Sequence, residues 1–279
     1  MPGANCAFEL RWSDFDPITI NIPEDHMKKI TINKAIAVAA LAGAACLPAA
    51  QAGVIQLGFI LDESGSIGEA NYTIIKNGLA SAISTLIPLG GAYEVSVVSF
   101  SNSATILVNH MLITDAASRT AAANLVSGDT FSAGSTAMDA AFNSMSSVLQ
   151  ASTATIDFTY VNFATDGVPN DQTSATTARN NLIANAGVDN LSIEAIGGGV
   201  NATYLQNSIC YPSPCDTTSP YSFPGNGFYI AVADAQGYAD AIGNKIRVVT
   251  GQPLPEPGSL ALAGLALLGL VRLRRKHDA

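Results

Sequence analysis

One stretch limits the fold of this chain more than any other: residues 54–66, VIQLGFILDESGS. An apolar run that halts at a carboxylate, with hydroxyls following at alternate positions, reads as a buried strand delivering oxygen atoms into a turn. Asp62, Ser64 and Ser66 offer one charged and two neutral hard oxygens. That set suits Mg2+ or Mn2+ and not the soft metals. Two hydroxyls neutralise none of an ion's charge, so a cation here would keep much of it and attract a carboxylate from another molecule. The same five residues also fit a plain Ser/Gly turn after a core strand, capped by Asp62 with no metal.

The rest of the chain supplies elements for an α/β sheet. Ile75, Leu79, Ile83 and Leu86 recur at helical spacing, which predicts a helix over 71–86, ended by Gly90-Gly91. Residues 94–100 alternate as a strand, and the Ser101-Asn102-Ser103 turn into 105–108 predicts a hairpin with an antiparallel edge strand. Helices are expected over 116–125 and through Ala141, Met145 and Val148. Residues 156–164, IDFTYVNFA, form a second β-rich run that again halts at a carboxylate turn, TDGVPND. Beyond it, Arg179, Leu182 and Ile183 fall on a helix, and 191–196 and 228–232 on strands. Asp234 caps a last helix whose Tyr238, Ile242, Ile246 and Val249 face the sheet.

Asp62-Glu63-Ser64-Gly65-Ser66 resembles the Asp-x-Ser-x-Ser signature of von Willebrand factor type A (VWA) domains, the metal-ion-dependent adhesion site of integrin I domains and their bacterial relatives. Gly134-Ser135-Thr136 is similar to the Gly-x-Thr that supplies the family's third hydroxyl, although Met138 stands where a second Thr is frequent. Thr136 also fits an ordinary cap of a helix starting at Ala137. Thr165-Asp166-Gly167-Val168-Pro169 resembles the family's Thr-Asp-Gly-x-Pro, with Asp166 as the matching ligand. The resemblance covers roughly 54–250. It implies a doubly wound, mostly parallel sheet of six strands with one antiparallel edge strand and helices on both faces. The strands ending at Asp62 and Asp166 would be neighbours, and Asp62, Ser64, Ser66, Thr136 and Asp166 would surround one Mg2+ or Mn2+. By the resemblance, Ser64 and Ser66 touch the ion, Thr136 and Asp166 exchange between direct and water-mediated contact, and Asp62 acts through water or hydrogen bonds. The implied function is cation-dependent binding of a protein or polymer ligand. A structural component of an extracellular matrix, its metal site only stabilising the fold, is the alternative.

Both ends of the chain carry addressing signals. Met27-Lys28-Lys29, the apolar run 35–47 and Ala50-Gln51-Ala52 form a secretory signal peptide over 27–52, with signal peptidase as processing partner. Residues 1–26, rich in charge, read as upstream sequence from start-site choice. After the domain at 53–250 come a linker, 251–258, holding Pro255, Glu256 and Pro257, and a segment, 259–279, whose apolar run 260–271 precedes Arg272, Arg274, Arg275 and Lys276. At 1.5 Å per residue that run spans about 18 Å, against roughly 30 Å of hydrocarbon. This tail resembles the PEP-CTERM sorting signal, which implies cleavage by a membrane protease, exosortase, in Gram-negative bacteria. The expected route is export across the inner membrane, transient anchoring, then the cell surface or matrix.

A chain of 279 residues, 48% hydrophobic and 13% charged, suffices for one α/β domain. Between 53 and 257 it carries 16 acidic and 5 basic residues, a net charge of −11, which disfavours nucleic acid and favours cations. Cys210 and Cys215 are the cysteines left after signal removal and should form a local disulfide in an exported protein. Phosphatase, Ser-His-Asp hydrolase and nucleotide-hydrolase patterns find no support in these residues. Ser64 occupies the position of a phosphatase's second aspartate, His110 is the one histidine between 53 and 257, and neither Gly-x-Ser-x-Gly nor a Walker loop occurs.

Overall fold

Apolar runs that alternate poorly suit strands with both faces covered, and β1 (Val54–Asp62) is such a strand, buried from Gln56 to its end. The computed structural model describes residues 53–251. The expected signal peptide, the Pro255-Glu256-Pro257 motif and the short membrane segment after it lie outside the described residues. Around β1 stand β2 (Tyr93–Phe100), β3 (Ala104–Leu112), β4 (Ile156–Thr165), β5 (Asn190–Ile196) and β6 (Tyr229–Val232). The six-stranded sheet has the order β3-β2-β1-β4-β5-β6, and only β3 is antiparallel to its neighbour. The doubly wound sheet with one antiparallel edge strand is therefore as the sequence predicts.

Helices α1 (Glu69–Leu86), α2 (Ala116–Ser127) and α5 (Ala235–Val249) bury Ile75, Leu79, Ile83, Val126, Tyr238 and Ile242 against Leu57, Phe59, Val95 and Val97 on one face. Helices α3 (Met138–Gln150) and α4 (Gln172–Ala186) bury Met138, Phe142, Met145 and Leu182 against Ile60, Val98 and Phe163 on the other. Each fully buried side chain of this size contributes about 1.5–3 kcal/mol. Aspartates start three of the helices. Asp115, Asp171 and Asp234 accept the backbone N–H of Ser118, Ser174 and Gly237, at 2.8, 2.8 and 2.9 Å. Among the described residues no helix is long and apolar enough to cross a membrane.

Strand β3 runs to Leu112, well past the expected 105–108. Its register on β2 shifts between Val95 and Val97, opposite His110, whose φ is +34°. That irregularity breaks the two-residue alternation from which a strand is read. Helix α1 starts at Glu69, two residues earlier than expected, and α2 ends at Ser127, two residues later. Cys210 and Cys215 form the disulfide. Tyr211 beside it exchanges two backbone hydrogen bonds with Leu191, at 2.8 and 2.9 Å, at the start of β5 and so at the sheet end opposite Asp62. Buried Glu194 on β5 pairs with Lys245 on α5 at 2.9 Å, fastening the last helix to the sheet.

Gly78 is where α1 meets α5. A Cβ there would lie 2.6 Å from the Ala239 Cβ and 2.8 Å from its Cα. Replacing Gly78 by Ala gains up to about 1 kcal/mol of helix propensity but forces the two helices apart, a strain of about 1–3 kcal/mol. Gly78→Ala should therefore lower the urea midpoint. A raised midpoint would mean that α1 and α5 separate freely.

Candidate metal centre

Parallel α/β sheets bind ligands beyond the carboxyl ends of their strands, and three loops converge there in this fold. Leu61 pairs with Ala164, so Asp62 and Thr165 end their strands side by side. The loop after β1 is tied to the 131–137 loop by the Gly65 N–H donating to the Gly134 carbonyl at 2.8 Å and the Ser132 N–H donating to Glu63 Oε2 at 3.0 Å. The 131–137 loop is tied to the loop after β4 by the Asn170 N–H donating to the Thr136 carbonyl at 3.0 Å and the Thr136 N–H donating to Asn170 Oδ1 at 3.1 Å. Asn102, in the β2–β3 turn, accepts both the N–H and the hydroxyl of Ser135, at 2.9 and 2.8 Å. Gly134 makes this possible. Its φ of +129° disfavours other residues, and a Cβ would lie 2.7 Å from the Asn102 amide.

Within that frame Asp62 is 1% exposed. Its Oδ1 accepts the Ser64 N–H at 2.8 Å and its Oδ2 accepts the Thr165 hydroxyl at 2.6 Å. The Ser64 and Ser66 hydroxyls lie 3.1 Å apart, and Ser66 donates to Asp166 Oδ1 at 2.8 Å. Thr136 Oγ1 and Ser66 Oγ lie 3.2 and 3.8 Å from the point that a Cβ on residue 167 would occupy, so Gly167 leaves the space between them open. All five sequence-predicted residues are thus brought together. The turn closed by Asp62 is also present, and it shapes the oxygen cluster rather than replacing it. Capping does not account for Thr136. Helix α3 starts at Met138, with Ala137 in the cap position and no side-chain cap bond.

Burial pushes the Asp62 carboxyl up to about 6, against the opposing pull of hydrogen bonds from Ser64 and Thr165 and with some help from Asp166. The Asp166 carboxyl is raised too, first by burial. No lysine or arginine forms an ion pair with either carboxylate among the described residues. Neither is there, among those residues, a group of three or more His, Cys, Asp or Glu side chains able to hold a metal. The centre therefore depends on its hydroxyls. Two carboxylates and three hydroxyls are all hard oxygens, and they fit Mg2+ or Mn2+. Three residues outside the predicted set keep the centre in shape: Thr165, Asn170 and Asn102. The first two fall inside the TDGVPND turn and so carried a signal. Asn102 carried none, because its turn sequence says only that the chain reverses.

A carboxyl raised on folding holds its proton more tightly in the native state. Its contribution to stability is full below the unfolded value of 3.8 and is lost as pH rises through about 6. In chelator, wild type should therefore gain stability as pH falls from 7.5 to 5, by part of a total of about 3 kcal/mol from Asp62. Asp62→Asn should be the more stable protein at pH 7.5, and its advantage should shrink by pH 5. Urea titrations at the two pH values test this, and an advantage independent of pH would contradict it.

A family model of the von Willebrand factor type A domain matches residues 56–225, and one of the PEP-CTERM protein-sorting motif matches residues 253–276. No curated protein matches the chain. Among solved structures, proximal thread matrix protein 1 from the mussel byssus, with zinc in its MIDAS motif, superposes with a TM-score of 0.54 at 19% identity, over 71% of this chain and 46% of that one. The pilus adhesin SpaC from Lactobacillus rhamnosus GG gives 0.54 at 13% identity, over 72% and 31%. A von Willebrand factor type A protein from Catenulispora acidiphila gives 0.53 at 16%, over 73% and 44%. This chain thus spans less than half the length of each, and at these identities the likeness shows the fold.

Proposed function

The chain belongs to the von Willebrand factor type A domain family, and on that premise we propose that it is an exported binding module, not an enzyme, that holds a protein or polymer ligand through a divalent cation. The observation that carries this reading is the convergence of Asp62, Ser64, Ser66, Thr136 and Asp166 at the ends of β1 and β4. A bound Mg2+ or Mn2+ would supply residual positive charge and an open position for a ligand carboxylate. The chain's own residues do the rest. Ser64 and Ser66 present neutral oxygens. Thr136 and Asp166 would add two further oxygens, and Asp62 orients Ser64 by accepting its N–H while Thr165 holds Asp62 in turn.

The PEP-CTERM match implies export and membrane-associated processing. In the fuller reading, signal peptidase cuts after Ala52 and an exosortase-like protease cuts near Pro255-Glu256-Pro257, which releases the domain to the surface or matrix of a Gram-negative cell. A second reading, a matrix component whose metal site only stiffens the fold, draws on the likeness to a byssus matrix protein. Cation-dependent ligand capture separates the two.

Magnesium calorimetry with thermal melts tests the site. Wild type should release or absorb heat, and at a hundredfold excess over Kd should gain about 2.7 kcal/mol. Thr136→Ala should melt like wild type in chelator yet bind magnesium at least about tenfold more weakly. Asp62→Ala should not bind. A wild type with neither heat nor a magnesium-dependent rise in Tm would remove the adhesion-site reading.

A further inference from the structure

The segment from Tyr211 to Phe228 is poor in charge and rich in rings. Its one charged residue, Asp216, accepts the Ser222 N–H at 2.7 Å and the Asn226 amide at 2.9 Å. The segment is held at the end of the sheet opposite the metal centre, where Tyr211 pairs with Leu191 and Asn190 donates to the carbonyls of Pro224 and Asn226, at 3.1 and 2.7 Å. There it extends a row of rings that begins on β4. Phe158 stacks on Tyr160 with centroids 5.9 Å apart, Tyr160 meets Phe223 at 4.9 Å, Phe223 meets Phe228 at 6.2 Å, and Phe228 stacks on Tyr221 at 4.8 Å. Phe228 is buried, Tyr160, Tyr221 and Phe223 are half-buried, and Phe158 is 45% exposed.

Other apolar side chains surface at the same end. Leu89 stands in the turn before β2, Leu112 is the last residue of the antiparallel β3, and Val248 lies in the last turn of α5; all three are exposed. Charge differs between the two ends of the sheet. Arg119, bound to the Ile87 carbonyl, and Arg247 in part offset Asp115, Asp157 and Asp189 here, whereas Glu69, Asp139, Asp166, Asp171 and Asp234 gather at the metal end.

The domain's connections also leave from this end. Gly53 precedes β1, and Thr250, just after α5, accepts the Tyr93 hydroxyl at 3.3 Å where β2 begins. Residues 252–259 separate Gly251 from the apolar run that starts at Leu260, and a chain of that length reaches at most about 29 Å. With that run in a membrane, the ring-bearing end lies within reach of the lipid, and the metal centre stands farther off by the length of β1, about 30 Å. Amphipathic and aromatic rings favour the boundary between headgroups and acyl chains, and an end whose charges partly cancel meets zwitterionic headgroups with less repulsion than the acidic end would meet from anionic ones.

We propose that this end of the domain, led by Phe158 and the 211–228 loop, rests on the lipid surface of the membrane entered by residues 260–271, and so points the metal centre away from it. The tether rests on the sorting reading given above; the ring surface does not. Amide line widths of the isotope-labelled full chain, bound to phosphatidylcholine vesicles that carry gadolinium on their headgroups, test this. Amides of 158–160 and 221–223 should broaden, and those of 64–66 and 166–167 should stay sharp. Phe158→Ser, at an exposed position and so harmless to the fold, should reduce the difference between the ends, and adding Tyr221→Ser should abolish it while the tail keeps the protein on the vesicle. Leu125→Ser, exposed on α2 away from this end, should leave it intact. Equal broadening of both ends in wild type would overturn the inference with the tether standing, and a protein that ignores the vesicles would overturn it outright. A dimer in lipid-free sedimentation that Phe158→Ser breaks would overturn it in favour of a second copy of the chain. Intact mass of the exported protein, ending near Pro257 or not, judges the sorting reading separately.

Discussion

The parallel pairing of β1 with β4 is the constraint on which the rest depends. It ends two buried strands at the same level, sets Asp62 beside Thr165, and so brings the Asp166 turn within a hydrogen bond of Ser66. A slip of β1 by one residue would send each of its side chains to the other face of the sheet, moving Leu61 into the layer of Phe163 and Ile60 out of it. Packing therefore enforces the register, and the register places the oxygens. The loops add a second level of fixing, since backbone hydrogen bonds join Gly65 to Gly134 and Asn170 to Thr136 and leave the hydroxyls of Ser66 and Thr136 facing the space beside Gly167, with that of Ser64 3.1 Å from Ser66.

Two buried acids in the fold show what the centre lacks. Glu194 is fully buried and has Lys245 at 2.9 Å, a pair that fastens α5 to the sheet. Asp62 is as deeply buried and has only neutral donors, the Ser64 N–H and the Thr165 hydroxyl. Burial raises both carboxyls, but Lys245 pulls that of Glu194 back down, whereas Asp166 pushes that of Asp62 further up. An uncompensated carboxylate costs stability in the folded protein, and a divalent cation is the natural counter-charge for two such groups flanked by hydroxyls.

Much of this was legible in the sequence because buried parallel strands announce themselves as apolar runs. Residues 54–62 and 156–165 end in carboxylate turns, and the helix spacing of Ile75, Leu79 and Ile83 is unmixed. Legibility failed where structure depends on partners distant in the chain. The length of β3 is set by its pairing with β2 around an irregular residue, His110. The role of Asn102 exists only because Ser135, 33 residues away, comes to it. The Glu194–Lys245 pair joins elements that share no local pattern, so no motif in the sequence reports it.

The central claim is that these five side chains form one cation site, and diffraction at the manganese absorption edge tests it most directly. Crystals grown with Mn2+ should give a single anomalous peak within bonding distance of the Ser64 and Ser66 hydroxyl oxygens, bordered by Thr136 and Asp166 and lost in Asp62→Ala. A peak elsewhere, or none at saturating manganese, would contradict the account.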